Sequence, residues 1–195
     1  MKYPYSIPLI LTLILLSPES TAQPSCKVVQ DHLDDFTGTR LLQITADGPA
    51  TGPAYDWLVK NGQVCLMLHW ERNDNRPAVV FEGDSLFVKL ENDSVMILVS
   101  KETMIGNTVV KEDGSKVTSG IYCYLVRHDQ LKHMGSLWVQ KLRILFRDGY
   151  QEFSAIGNPD WQMGMWRTSN CVMRSIGMKP SPQFSIGAAS YGGDR

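Results

Sequence analysis

The chain has 195 residues, 43% of them hydrophobic, and a formal net charge of −1 from 19 basic and 20 acidic side chains. That length suits one domain with a core of its own. A near-zero balance with no basic run excludes the electrostatic footprint of a nucleic-acid binder and of a polybasic membrane patch.

In chain order, the first element reads as an export signal. Lys2 and the amino terminus form a short positive region, and Leu9 to Leu16 is apolar except for Thr12. That run has the length of a signal peptide's apolar region, far short of the roughly 20 residues of a membrane-spanning helix. Ser17-Pro18-Glu19 breaks it, and Ser20-Thr21-Ala22 puts small residues where signal peptidase reads them. The expected cut lies between Ala22 and Gln23. The expected organisation is a signal peptide over 1–22, a single β-rich domain over 23–176 and a disordered tail over 177–195. The expected location is periplasmic or secreted. A lipid anchor on Cys26 fits poorly, because Gln23 and Pro24 precede it and it lies well past the apolar run. No later apolar run is long enough for a transmembrane segment; Val95 to Val99 is typical of the longest.

Four cysteines, Cys26, Cys65, Cys123 and Cys171, are an even number in an exported chain. That suggests disulfides, with three possible connectivities. None are close in sequence, so neither a zinc knuckle nor a C-x-x-C redox site is written here. The expected pair is Cys26 with Cys171, joining the start of the domain to its end. Such a long loop is worth roughly 4–5 kcal/mol in the chain-entropy account. Cys65 and Cys123 sit inside apolar strand patterns and can equally be free core thiols.

The middle of the chain alternates as strands do. Val64, Leu66, Leu68 and Trp70 share one face; Cys65, Met67 and His69 share the other. Both faces are largely apolar, which predicts a central strand. Asn61-Gly62 before it is a hairpin signal. Further turns are expected at Gly83-Asp84, joining Ala78–Phe81 to Leu86–Leu90, and at Asn92-Asp93, leading into Val95–Val99. Asp113-Gly114 joins Thr108–Val110 to Val117–Leu125, and Asp148-Gly149 joins Leu137–Arg147 to Tyr150–Ser154. A short helix is expected at Asp129–Met134 with Gly135 as its stop. A longer one opens at Asn158-Pro159, with Trp161, Met165, Thr168 and Val172 at helical spacing. The fold class is therefore mainly β (α+β): antiparallel meander sheets with one short helix and a C-terminal helix.

Asp34-Asp35-Phe36-Thr37-Gly38, early in the expected mature chain, resembles uncharacterised periplasmic or secreted β-rich proteins of Bacteroidota. So does the later order of short helix, Val139-Gln140-Lys141-Leu142-Arg143-Ile144, Asp148-Gly149-Tyr150 and final helix. The resemblance implies a β-rich exported domain over most of 30–173 and brings no activity, cofactor or site residues.

Candidate chemistry is sparse. Asp34-Asp35 is a carboxylate pair, but neighbours on a strand point apart, and Asp before Thr-Gly is turn chemistry. Cys65, Met67 and His69 offer soft-metal donors on one strand face, yet a single strand spreads its ligands where a metal needs them to converge. His128 and His133, five apart on a helix, do not share a face. No nucleophile elbow, P-loop, dinucleotide fingerprint or H-E-x-x-H motif occurs. The expectation is thus no catalytic, cofactor or metal residues. Trp57, Trp70, Trp138, Trp161 and Trp166 are either core or an aromatic binding face. The functional reading is a non-catalytic binding domain in the envelope or secreted. It would engage an envelope protein, glycan or lipid through a sheet face or the C-terminal helix, with no nucleic-acid partner. The alternative is a hydrolase whose site no motif reveals.

Overall fold

The computed structural model describes residues 27–45, 52–72 and 78–180. The expected signal peptide, its Ala22/Gln23 cut, Cys26 and residues 181–195 of the expected tail lie outside the described residues. The strands are β1 (Lys27–Leu33), β2 (Arg40–Thr45), β3 (Ala54–Lys60), β4 (Gln63–Arg72), β5 (Val79–Val80) and β6 (Ser85–Leu90). They continue with β7 (Val95–Ser100), β8 (Met104–Ile105), β9 (Asn107–Val110), β10 (Lys116–Val126), β11 (Val139–Phe146) and β12 (Gly149–Ser154). The helices are α1 (His128–Met134) and α2 (Pro159–Ser175). The protein is mainly β, with antiparallel sheets and two helices.

Turn chemistry sets the local pairings. Asn61 and Gly62 both take positive φ, 50° and 76°, as the tight loop between β3 and β4 requires. Asp93 does the same between β6 and β7. The hairpins expected at Asp113-Gly114 and Asp148-Gly149 form as β9–β10 and β11–β12. One expected hairpin does not. β5, which precedes the Gly83-Asp84 turn, pairs with β8 in a separate two-stranded sheet, not with β6. The reason is competition, since both edges of β6 are taken by β7 and β11.

The larger sheet runs β1-β2-β3-β4-β10-β7-β6-β11-β12, with β9 also on β10. One face carries the core. Trp57, Leu66, Leu68, Leu98, Tyr122, Leu142 and Ile144 are buried there, each aliphatic side chain worth roughly 1.5–3 kcal/mol of transfer free energy. Strands β2 and β3 near one end and β11 near the other all pack on α2. The sheet therefore curls around that helix, following the right-handed twist of strands.

Helix α2 begins as the sequence expects. Asn158 Oδ1 accepts the Trp161 N–H at 3.2 Å and Pro159 occupies the first turn. Trp161, Met165, Thr168 and Val172 are all buried. Trp57 donates its indole N–H to Thr168 Oγ1 at 3.0 Å, tying helix to sheet with a buried hydrogen bond. Much of α2 is buried against the sheet. Gly135 ends α1 with φ −83°, not in the left-handed form its sequence suggests. Its size matters instead: a Cβ would sit 2.4 Å from Met173 Cε of α2.

Candidate functional site

The expected candidates separate in space. Asp34 Oδ1 accepts the main-chain N–H groups of Phe36 and Thr37, each at 2.9 Å. This is a local turn, so Asp34-Asp35 forms no acid–base pair. His128 and His133 are exposed on α1. Trp57, Trp70 and Trp161 are in the core, and Trp138 and Trp166 are only partly exposed, so the tryptophans build no open aromatic face. Cys171 is buried in α2, while its expected partner Cys26 falls outside the described residues.

Cys65, Met67 and His69 face away from the core, as the alternation predicts, but they do not act together. Cys65 and His69 are four residues apart on β4, about 13 Å. His69 Nε2 lies 3.1 Å from Asp56 Oδ2, and Gln43 Nε2 lies 3.1 Å from the same oxygen. Gln43, Asp56 and His69 thus form a row across β2, β3 and β4. If the imidazole donates through Nε2–H to the carboxylate, Nδ1 remains as an acceptor.

His69 also borders a cleft of about 550 Å³. One wall is made by Ala54, Trp70 and Glu71 with His69; the other is Gln151, Glu152 and Phe153 of β12. Three side chains hold the walls in place. Trp70 donates its indole N–H to Gln151 Oε1. Trp161 packs on Phe153 with centroids 5.0 Å apart and donates to Pro53 O at 3.0 Å. Arg72 makes a two-pronged ion pair with Asp148, at 3.0 and 2.9 Å, and its guanidinium sits 5.2 Å over the Phe146 ring. The cleft floor comes close at Gly52. A Cβ there would lie 2.4 Å from the Phe153 ring, and its φ is +142°.

The β12 wall is a strand edge. Among the described residues no strand pairs with β12 on the side away from β11. The Ala155 N–H donates to Gln140 O at 2.8 Å, continuing the β11–β12 register as a hydrogen-bonded pair. In an antiparallel ladder such pairs alternate, so Gln151 and Phe153 also turn their main-chain groups toward β11. Tyr150, Glu152 and Ser154 turn theirs toward the free edge. The Glu152 side chain is engaged by Arg143, which stacks 4.6 Å from the Tyr150 ring. Glu71 is exposed at the opposite rim.

Among the described residues the cleft lining holds no Ser, Thr, Cys or Lys; its titratable side chains are His69, Glu71 and Glu152. Among the described residues, no group of three or more His, Cys, Asp or Glu side chains could hold a metal ion, and no helix is long and apolar enough to cross a membrane. The free edge of β12 and the Gln43–Asp56–His69 row were hidden in the sequence. Both depend on strand order; the only trace of the row is a polar residue at an outward position of each strand. Comparison with family models, curated proteins and solved structures returns no match to this chain.

Proposed function

We propose that the protein is an exported, non-catalytic binding domain that captures an extended segment of a protein partner along the free edge of β12. The observation that carries this reading is the cleft with a strand edge, unpaired among the described residues, as one wall. Strand addition uses such edges: main-chain hydrogen bonds provide affinity, and pockets for alternate side chains provide specificity. Tyr150, Glu152 and Ser154 would supply the donors and acceptors. Glu71, across the cleft, favours a basic side chain on the incoming segment. The reading takes the chain as exported through residues 1–22, with Cys26 joined to Cys171.

The hydrolase alternative is weaker on the same geometry. Two carboxylates line the cleft, but the Glu152 side chain is bound to Arg143, and among the described residues no Ser, Thr, Cys or Lys lines it. An array of extended peptides with lysine at alternate positions tests the proposal. Wild-type protein should bind a subset, and Glu152→Pro, which removes one free-edge N–H, should lose about tenfold, or about 1.4 kcal/mol. Glu152→Gln keeps that N–H and should bind as wild type does. Equal binding by wild type and Glu152→Pro, or no binding by wild type, refutes strand addition. Cleaved peptide would replace it with the hydrolase reading.

A further inference from the structure

Cys65 and Cys123 are both buried, at 3% and 6% exposure, yet neither belongs to the hydrophobic core cluster. They lie on the opposite face of the sheet. In the β4–β10 register Cys65 faces Leu125 and Cys123 faces Met67. The two cysteines are therefore diagonal neighbours on one face, with Met67 beside both. The register sets the two thiols side by side. A fourth sulfur is near: Met104 Sδ accepts the Cys123 main-chain N–H at 3.2 Å. That bond fills a gap on β10 between its pairings with β9 and β7.

Diagonal neighbours stand about 7–8 Å apart at Cα, outside the roughly 4.4–6.8 Å that disulfides usually span. The pair therefore persists as thiols unless the strands shift. The contact also splits their acidities. The hydrogen bond from Cys123 brings Cys65 down to about 7, with Lys101 adding to it against the cost of burial. The same contact pushes Cys123 upward. Two thiols and a thioether share one patch of the outer sheet face.

We propose that Cys65 and Cys123, with Met67 as the outermost sulfur, form a binding site for one Cu(I) ion on the outer face of the sheet. Thiolate and thioether donors select a soft monovalent ion. A single strand spreads its donors, but here a second strand brings its cysteine beside the first. His69 is excluded, being about 13 Å along β4 from Cys65 and held by Asp56. On binding, the Cys65 and Cys123 sulfurs each donate an electron pair to the ion. Both thiols release their protons to solvent, and no electron is transferred.

The test titrates the full chain, reduced and anaerobic, with Cu(I) against a chromophoric Cu(I) chelator. One ion per chain should be withdrawn from the chelator. Cys65→Ser and Cys123→Ser should each weaken binding beyond the roughly 10–100-fold that loss of even an outer-shell partner costs. Met67→Leu preserves volume and folding and should weaken it by a smaller, measurable factor. X-ray absorption of the loaded protein should show sulfur-only ligation. No competition with the chelator, unchanged binding in both serine variants, or nitrogen ligation overturns the site.

Discussion

The ion pair between Arg72 and Asp148 joins the end of β4 to the β11–β12 turn, and so holds the two walls of the cleft together. Replacing Asp148 with Asn removes the charge and keeps the shape. The guanidinium it faces is 6% exposed, whereas Asp148 itself is 26% exposed. Arg72 would keep its place over Phe146 but lose the Asp148 carboxylate against which it is buried. Breaking a buried pair from one side costs about 3–5 kcal/mol, and the partial exposure of Asp148 places this case near 3. For a domain of this size each kcal/mol moves Tm by about 2–4 °C, so Asp148→Asn should melt roughly 6–12 °C below wild type. Adding Arg72→Met should recover most of that loss, because a thioether packs on the Phe146 ring without a charge to solvate. Thermal unfolding followed by near-ultraviolet circular dichroism of the four proteins of this cycle measures both effects. A single variant that melts with wild type, or a double variant no better than the single, would refute the assignment of a buried clasp.

Gly52→Ala should lower stability by about 2–4 kcal/mol, since it meets the Phe153 ring and strains a positive φ; urea unfolding measures this, and a loss under 1 kcal/mol contradicts the close approach. The thiolate ultraviolet absorbance of metal-free, reduced protein should titrate with one midpoint at about 7. Because this folded value is lowered, the Cys65 contribution to stability is present above the ordinary thiol range and fades as pH falls through 7. Cys123→Ala removes the main cause and should move the midpoint up; an unmoved midpoint shows that the pair is not in contact.

Much of the fold was legible along the chain because its determinants are local. The alternation of Val64 to Trp70 assigned the correct face to every residue of that strand. Asn61-Gly62 and Asn158-Pro159 marked a turn and a helix start through backbone preferences that need no tertiary partner. β1 went unread, β3 was implied only by the Asn61-Gly62 hairpin signal at its end, and β8 is too short for any period to register.

What the sequence alone determined was a mainly β chain, its hairpin turns, the buried stripe of α2 and the apolar face of β4. These rest on φ preferences and on side-chain period, both readable within a few residues. The tertiary structure alone decided that β5 pairs with β8, that β12 ends the sheet beside a cleft, and that Cys123 comes to rest diagonal to Cys65. Those outcomes depend on which strand edges remain free once stronger pairings form. Cys65 and Cys123 are far apart in sequence, and only the register of β4 on β10 makes them neighbours.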